Sequence, residues 1–162
     1  MVTPRTNESA TLLLAVEAEL EAVRCFVDLL AIEQTALSNG NTEELPELAE
    51  QKNQFAGQLS KLAEQRNTSL SALGFVSDRA GIEAWCTKHP KETSVANAWG
   101  KIIALASEAR ELNRINGELI ALRMQYNTKA LEALRGGNDS LDLYGPDGQS
   151  SPLSNRRIND AV

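Results

Sequence analysis

Few residues of this 162-residue chain are equipped for covalent or acid–base chemistry. The single histidine, His89, precedes Pro90 at a helix break, and nothing adjacent in sequence supplies it with a nucleophile. It reads as a solvent-exposed loop residue. A di-metal helical bundle draws Glu-x-x-His pairs from two helices, whereas His89 followed by Glu92 is the reverse order and has no counterpart. Cys25 and Cys86 lack Cys-x-x-Cys or metal-type spacing and read as inert small residues of a reducing compartment. Gly136-Gly137 follows a helical pattern, not a strand, so it does not match a phosphate cradle. Glu17 and Glu21, four apart, merely flank an apolar seam. The expectation is a chain with no catalytic site, no cofactor and no bound metal.

What remains is recognition. Leu112, Ile115, Leu119, Leu122 and Tyr126 form a stripe at three–four spacing, and Ile120, Met124 and Leu131 widen it. A helix so broad in apolar surface either lies between two core partners or presents a second face to something else. Asn113, Asn116 and Gly117 lie on the same stretch. Buried asparagine can fix register and glycine can admit a close backbone; direct contact with a partner is the other reading. Further on, Leu143-Tyr144-Gly145-Pro146-Asp147-Gly148-Gln149 puts an aromatic in a polar, Pro/Gly-kinked segment. That is either a turn that tucks Tyr144 onto the fold or a short motif that docks through it.

The elements that must position these residues are helices. Alanine and leucine supply 43 positions, and the aromatics amount to 4%, a composition that disfavours β-structure. A first helix from near Asn7 carries a seam at Leu13, Val16, Leu20, Val23, Val27, Leu30, Gln34 and Leu37, closed by Gly40. Asn41 and Glu44 have capping-box spacing before a second helix. Its seam runs Leu45, Leu48, Lys52, Phe55, Leu59, Leu62, Arg66, Ser69 and Leu73, and Gly74 ends it. The stems of Lys52 and Arg66 are expected to cover apolar surface while their charges reach water. A short helix, Asp78 to Thr87, carries Ile82 and Trp85 on one side, and a long last helix runs from about Lys91 through Leu134, stopping before Gly136-Gly137. The expected fold is all-α: an elongated antiparallel helical bundle of three long helices and one short one. The bundle domain is 1–137, and the polar segment 138–162 is expected to be a disordered tail. A net charge of −6 without a basic cluster argues against nucleic acid. Neither a signal-peptide layout nor a membrane-length apolar run is present, so a cytoplasmic location is expected.

The ordered set Trp99, Leu112-Asn113, Asn116-Gly117, Leu119-Ile120 and Leu143-Tyr144-Gly145-x-Asp147-Gly148-Gln149 resembles the FlgN family of flagellar type III export chaperones. The hairpin looks similar too, with Glu33 and Leu37 in its first arm and Lys52 and Leu59 in its second. The resemblance implies a non-enzymatic cytoplasmic chaperone. It would bind the C-terminal segments of the hook–filament junction proteins FlgK and FlgL and bring them to the export gate component FlhA, without inserting into the membrane. In the family the C-terminal helical region contributes to cargo binding, which points here to Asn113, Asn116, Leu119, Ile120, Leu122, Met124, Tyr126, Leu131 and Leu134. Docking to the gate through Leu143, Tyr144, Gly145, Asp147 and Gly148 is an expectation of our own. The rival expectation is a structural coiled-coil protein that self-associates through the same stripes.

Overall fold

Heptad-spaced apolar residues organise the described residues into four helices: α1 (Pro4–Asn39), α2 (Leu45–Ala72), α3 (Arg79–Lys88) and α4 (Thr93–Asp139). A 3-10 turn, Thr42–Glu44, leads into α2. The computed structural model describes residues 4–139, with side chains from 7 to 136, and no strand occurs among them. The chain divides into two compact units after Ile120. The expected tail, 138–162, lies outside the described residues but for its first two.

Two glycines end helices as the sequence requires. Gly40 has φ +84°, and the Asn41 N–H donates to the Ala36 carbonyl at 2.9 Å. Gly74 has φ +79°, and the Phe75 N–H reaches back to Leu70 O at 2.9 Å. Both are left-handed closures in which an orphan carbonyl gains a donor. The capping box does not form. Asn41 precedes the 3-10 turn without a side-chain cap bond, and α2 starts after Glu44 with Pro46 in its first turn, where a missing N–H costs little. At the other end α4 runs through Gly136 and Gly137 to Asp139, further than expected, since glycine weakens a helix by only about 1 kcal/mol.

α3 is capped by Asp78, whose Oδ1 accepts from the Gly81 N–H at 2.9 Å. Gly81 is itself confined: a Cβ there would lie 1.8 Å from the Val76 carbonyl oxygen. Gly81→Ala therefore displaces the loop into α3 and is expected to cost about 1–3 kcal/mol, as overpacking does. A shift of the urea midpoint at constant slope measures it; an unchanged midpoint would contradict the clash.

In the first unit α1 is the shared element. Residues Leu12, Val16, Glu19, Val23, Phe26, Leu30, Glu33 and Leu37 follow alternating four–three steps, and all but half-buried Phe26 are buried. The main core joins Leu12, Val16, Leu20 and Val23 to Leu70 of α2, Ile82 and Trp85 of α3, and Val95, Trp99 and Ile102 of α4. A smaller cluster packs Val27 and Leu30 against Ala109, and a third packs Leu29 and Ala36 against Leu48. Pairing along the chain shows α1 and α4 side by side in one direction and α2 antiparallel to both. The short α3 supplies the return crossing.

Candidate functional site: polar tiers and an exposed helix

The heptad seams of the first unit carry charge as well as apolar groups. Arg66 Nη1 donates to both carboxylate oxygens of Glu19 at 2.6 and 2.7 Å, and its guanidinium stacks 4.9 Å from the Trp99 ring centroid. Lys52 Nζ donates to Glu33 at 2.9 and 3.1 Å and to Asn113 Oδ1 at 3.1 Å. Asn116, 1% exposed, donates from Nδ2 to Leu30 O at 2.9 Å and to Glu33 Oε2 at 2.8 Å. Each tier ties α1, α2 and α4 together. Glu19 and Glu33, Arg66 and Lys52, Trp99 and Asn113 stand two heptads apart on their helices, about 21 Å along each axis.

This arrangement corrects the snorkelling expectation. Arg66 is buried in an ion pair, and Lys52 is held in another by the buried Glu33. Burial pushes the Glu19 carboxyl above its ordinary range, with the charge and hydrogen bonds of Arg66 pulling part of the way back. The expected seam of the first helix passes beside Glu19 and Glu33, which lie on its buried face; these two carboxylates stand fourteen apart, as Lys52 and Arg66 do in the second seam. Asn116 takes the register role. Gly117 does not serve a close approach, because a Cβ there would meet nothing within 4 Å.

Between the tiers lies a third layer of Phe26, Leu59 and Ala106, seven residues from each. Ala106 occupies the α4 position that is Trp99 above and Asn113 below, and it is too small to fill it. A mostly apolar cleft of about 310 Å³ results, lined also by Val23, Ala109, Arg110 and Asn113. Further along, the outer face of α4 is charged, with Arg114 bonded to Glu111 at 2.7 Å and also to Glu118. Those hydrogen bonds hold the Glu111 carboxyl below its ordinary range.

His89 is not the exposed loop residue that its sequence setting suggests. Its ring stacks on Trp85 with centroids 4.5 Å apart, and Nδ1 lies 2.8 Å from Trp85 O. The imidazole closes α3 and roofs its tryptophan. Cys25 and Cys86 are free and half-buried. Burial raises the Cys86 pKa, which suppresses the reactive thiolate. No group of three His, Cys, Asp or Glu residues suited to a metal occurs among the described residues, and no helix there is long and apolar enough to cross a membrane.

The second unit, from Ala121, presents a different surface. Of the nine large apolar residues exposed among the described residues, five fall here: Leu122, Met124, Tyr126, Leu131 and Leu134. Tyr126 is 67% and Leu134 72% exposed, which no core position tolerates. Thr128 satisfies its hydroxyl on Met124 O at 3.0 Å, so its polarity is spent on its own helix. In the first unit, Leu119 is half-buried and Ile120 exposed, while Asn113 is exposed yet bonded to Lys52. The candidate cargo residues thus separate into two bonded asparagines and an apolar set. The expected gate residues Leu143, Tyr144, Gly145, Asp147 and Gly148 lie outside the described residues.

The family described as FlgN protein matches residues 1–152. A flagella synthesis protein FlgN of Proteus mirabilis is 29% identical over 151 residues, covering 88% of this chain and 92% of its own. The one from Yersinia enterocolitica is 28% identical over 138 residues, 84% of this chain and 86% of the relative. That from Salmonella typhimurium is 29% identical over 94 residues, 58% and 66% of the respective chains. No solved structure matches.

Proposed function

The chain belongs to the FlgN family, and from that premise we propose that it is a cytoplasmic export chaperone without enzymatic activity. Its cargo is the C-terminal segments of the junction proteins FlgK and FlgL, and its delivery point is the export gate component FlhA. The observation that carries this reading is the row of exposed apolar side chains Leu122, Met124, Tyr126, Leu131 and Leu134 on a helix of the second unit. Leaving such a row in water is unfavourable by about 25 cal/mol per Å² of apolar surface, and covering it with amphipathic cargo recovers that energy. Asn113 and Asn116 act indirectly, by holding α4 to the hairpin. Coupled folding of the cargo keeps the net affinity moderate, because the ordering cost is charged against the contact energy. Moderate affinity suits a chaperone that must release at the gate.

Gate docking is assigned to Tyr144 with Leu143, Gly145, Asp147 and Gly148. A separate contact region for the gate lets cargo and gate be held together at high effective concentration. Tyr144→Ala is expected to keep the circular dichroism spectrum and co-purification with FlgK while losing most FlhA pull-down and motility. Unchanged FlhA binding would remove the tail from the mechanism. Light scattering with and without FlgK tests the chaperone reading itself: a stable oligomer indifferent to FlgK would replace it with a self-associating scaffold.

A further inference from the structure

Resting on that reading, we propose that the occupant of helix 121–136 is a pair of acidic amphipathic helical segments, one along each of two apolar edges. A single segment or a second copy of this chain does not fit the same surface. At about 100° per residue, Met124, Leu131 and Leu134 fall within about 80° of one another, and Leu122, Tyr126, Ala130 and Ala133 within another such arc. Together the two edges span about 200°, where one neighbouring helix needs an apolar face of about 100°. A helix this broad is built to be flanked twice, as in a three-helix bundle.

The charges mark the same division. Residues 121–136 carry Arg123, Lys129 and Arg135 against Glu132 alone, in a chain whose net charge is −6. Arg135 borders the Met124–Leu131–Leu134 edge on its outer side, Lys129 borders the Leu122–Tyr126 edge, and Arg123 runs between them. Each edge therefore has an exposed cation on its outer flank, Arg135 on one and Lys129 on the other, the arrangement in which interhelical carboxylates set partner choice. A second copy would bring like charges together, whereas segments with acids beside their apolar seam neutralise them. Cargo of this chemistry is a hairpin or two neighbouring arms of one junction protein.

The test is calorimetric titration of the full-length chain with purified FlgK, comparing variants that disturb one edge each. Leu131→Ser and Tyr126→Ser are both expected to weaken binding about tenfold or more, since each removes one anchor that the cargo would cover. Lys129→Glu and Arg135→Glu are each expected to weaken it and to flatten its salt dependence. All four side chains are exposed, so unchanged circular dichroism is expected and serves as the folding control. A loss confined to one edge overturns the two-segment occupant and leaves the chaperone reading in place. Binding that neither edge variant alters places the cargo elsewhere and overturns the inference as well. Absence of FlgK binding by the unaltered chain refutes the chaperone reading itself, and concentration-dependent association through Tyr126 and Leu131 makes the occupant a second copy.

Discussion

Arg66→Met is expected to destabilise the first unit by about 3–5 kcal/mol, the usual cost of stranding one member of a buried ion pair. The variant loses both bonds to Glu19 and the stack on Trp99, and leaves the Glu19 carboxyl among apolar neighbours. Chemical denaturation at pH 7 measures the loss. The double variant Glu19→Leu, Arg66→Met should regain most of it, because a well-packed apolar pair often equals a buried ionic one. Two single losses that simply add would show that the residues do not act together.

The same pair sets a pH dependence. Burial raises the folded-state pKa of Glu19 above its unfolded value, so the folded state holds the proton more tightly. Its contribution to stability is fully present below the unfolded pKa and is lost as pH rises through the folded one. With Arg66 removed the opposing pull disappears and the window widens upward. Arg66→Met should therefore recover part of its stability between pH 7 and pH 5, and the double variant should not.

Trp85→Ala is expected to cost about 3–5 kcal/mol, as for other buried aromatics truncated to alanine. Trp85 is 0% exposed and is part of the main core cluster, to which α1, α2, α3 and the start of α4 all contribute. His89 loses its stacking partner at the same time. Trp85→Phe should be far milder. The indole N–H finds no acceptor among the described residues, so phenylalanine deletes an unpaired donor along with some volume. Thermal melts of the two variants give the ordering, and an equal loss in both would mean that the indole nitrogen is bonded after all.

Helix number, order and most boundaries were legible because three–four apolar spacing and two closing glycines report directly on backbone geometry. Gly40 and Gly74 show this well: each stands where a left-handed residue is needed. Other features depend on who sits opposite, which one strand of sequence does not state. Lys52 and Arg66 looked like flaws in a seam until Glu33 and Glu19 were found facing them. Gly81 carried no visible signal, because its constraint is the Val76 carbonyl from an adjoining loop. On the candidate surface, the apolar positions of α4 were readable by period. Their separation from Asn116 was not, since burial of an asparagine follows from the neighbouring helix and not from its own.

The repeat of polar tiers at whole-heptad intervals also makes this bundle adjustable in length. In the first unit α1, α2 and α4 meet in layers seven residues apart, with a plain apolar layer between two charged ones. Removing the middle layer from α1, α2 and α4 together would bring the two tiers one heptad closer, with every ionic partner still opposite its mate. Cutting five residues from α1 alone would rotate its later face by about 140° and turn Glu19 or Glu33 away from its cation. The hairpin can lengthen or shorten over evolution in discrete steps, and its charged tiers act as the detents that hold each step.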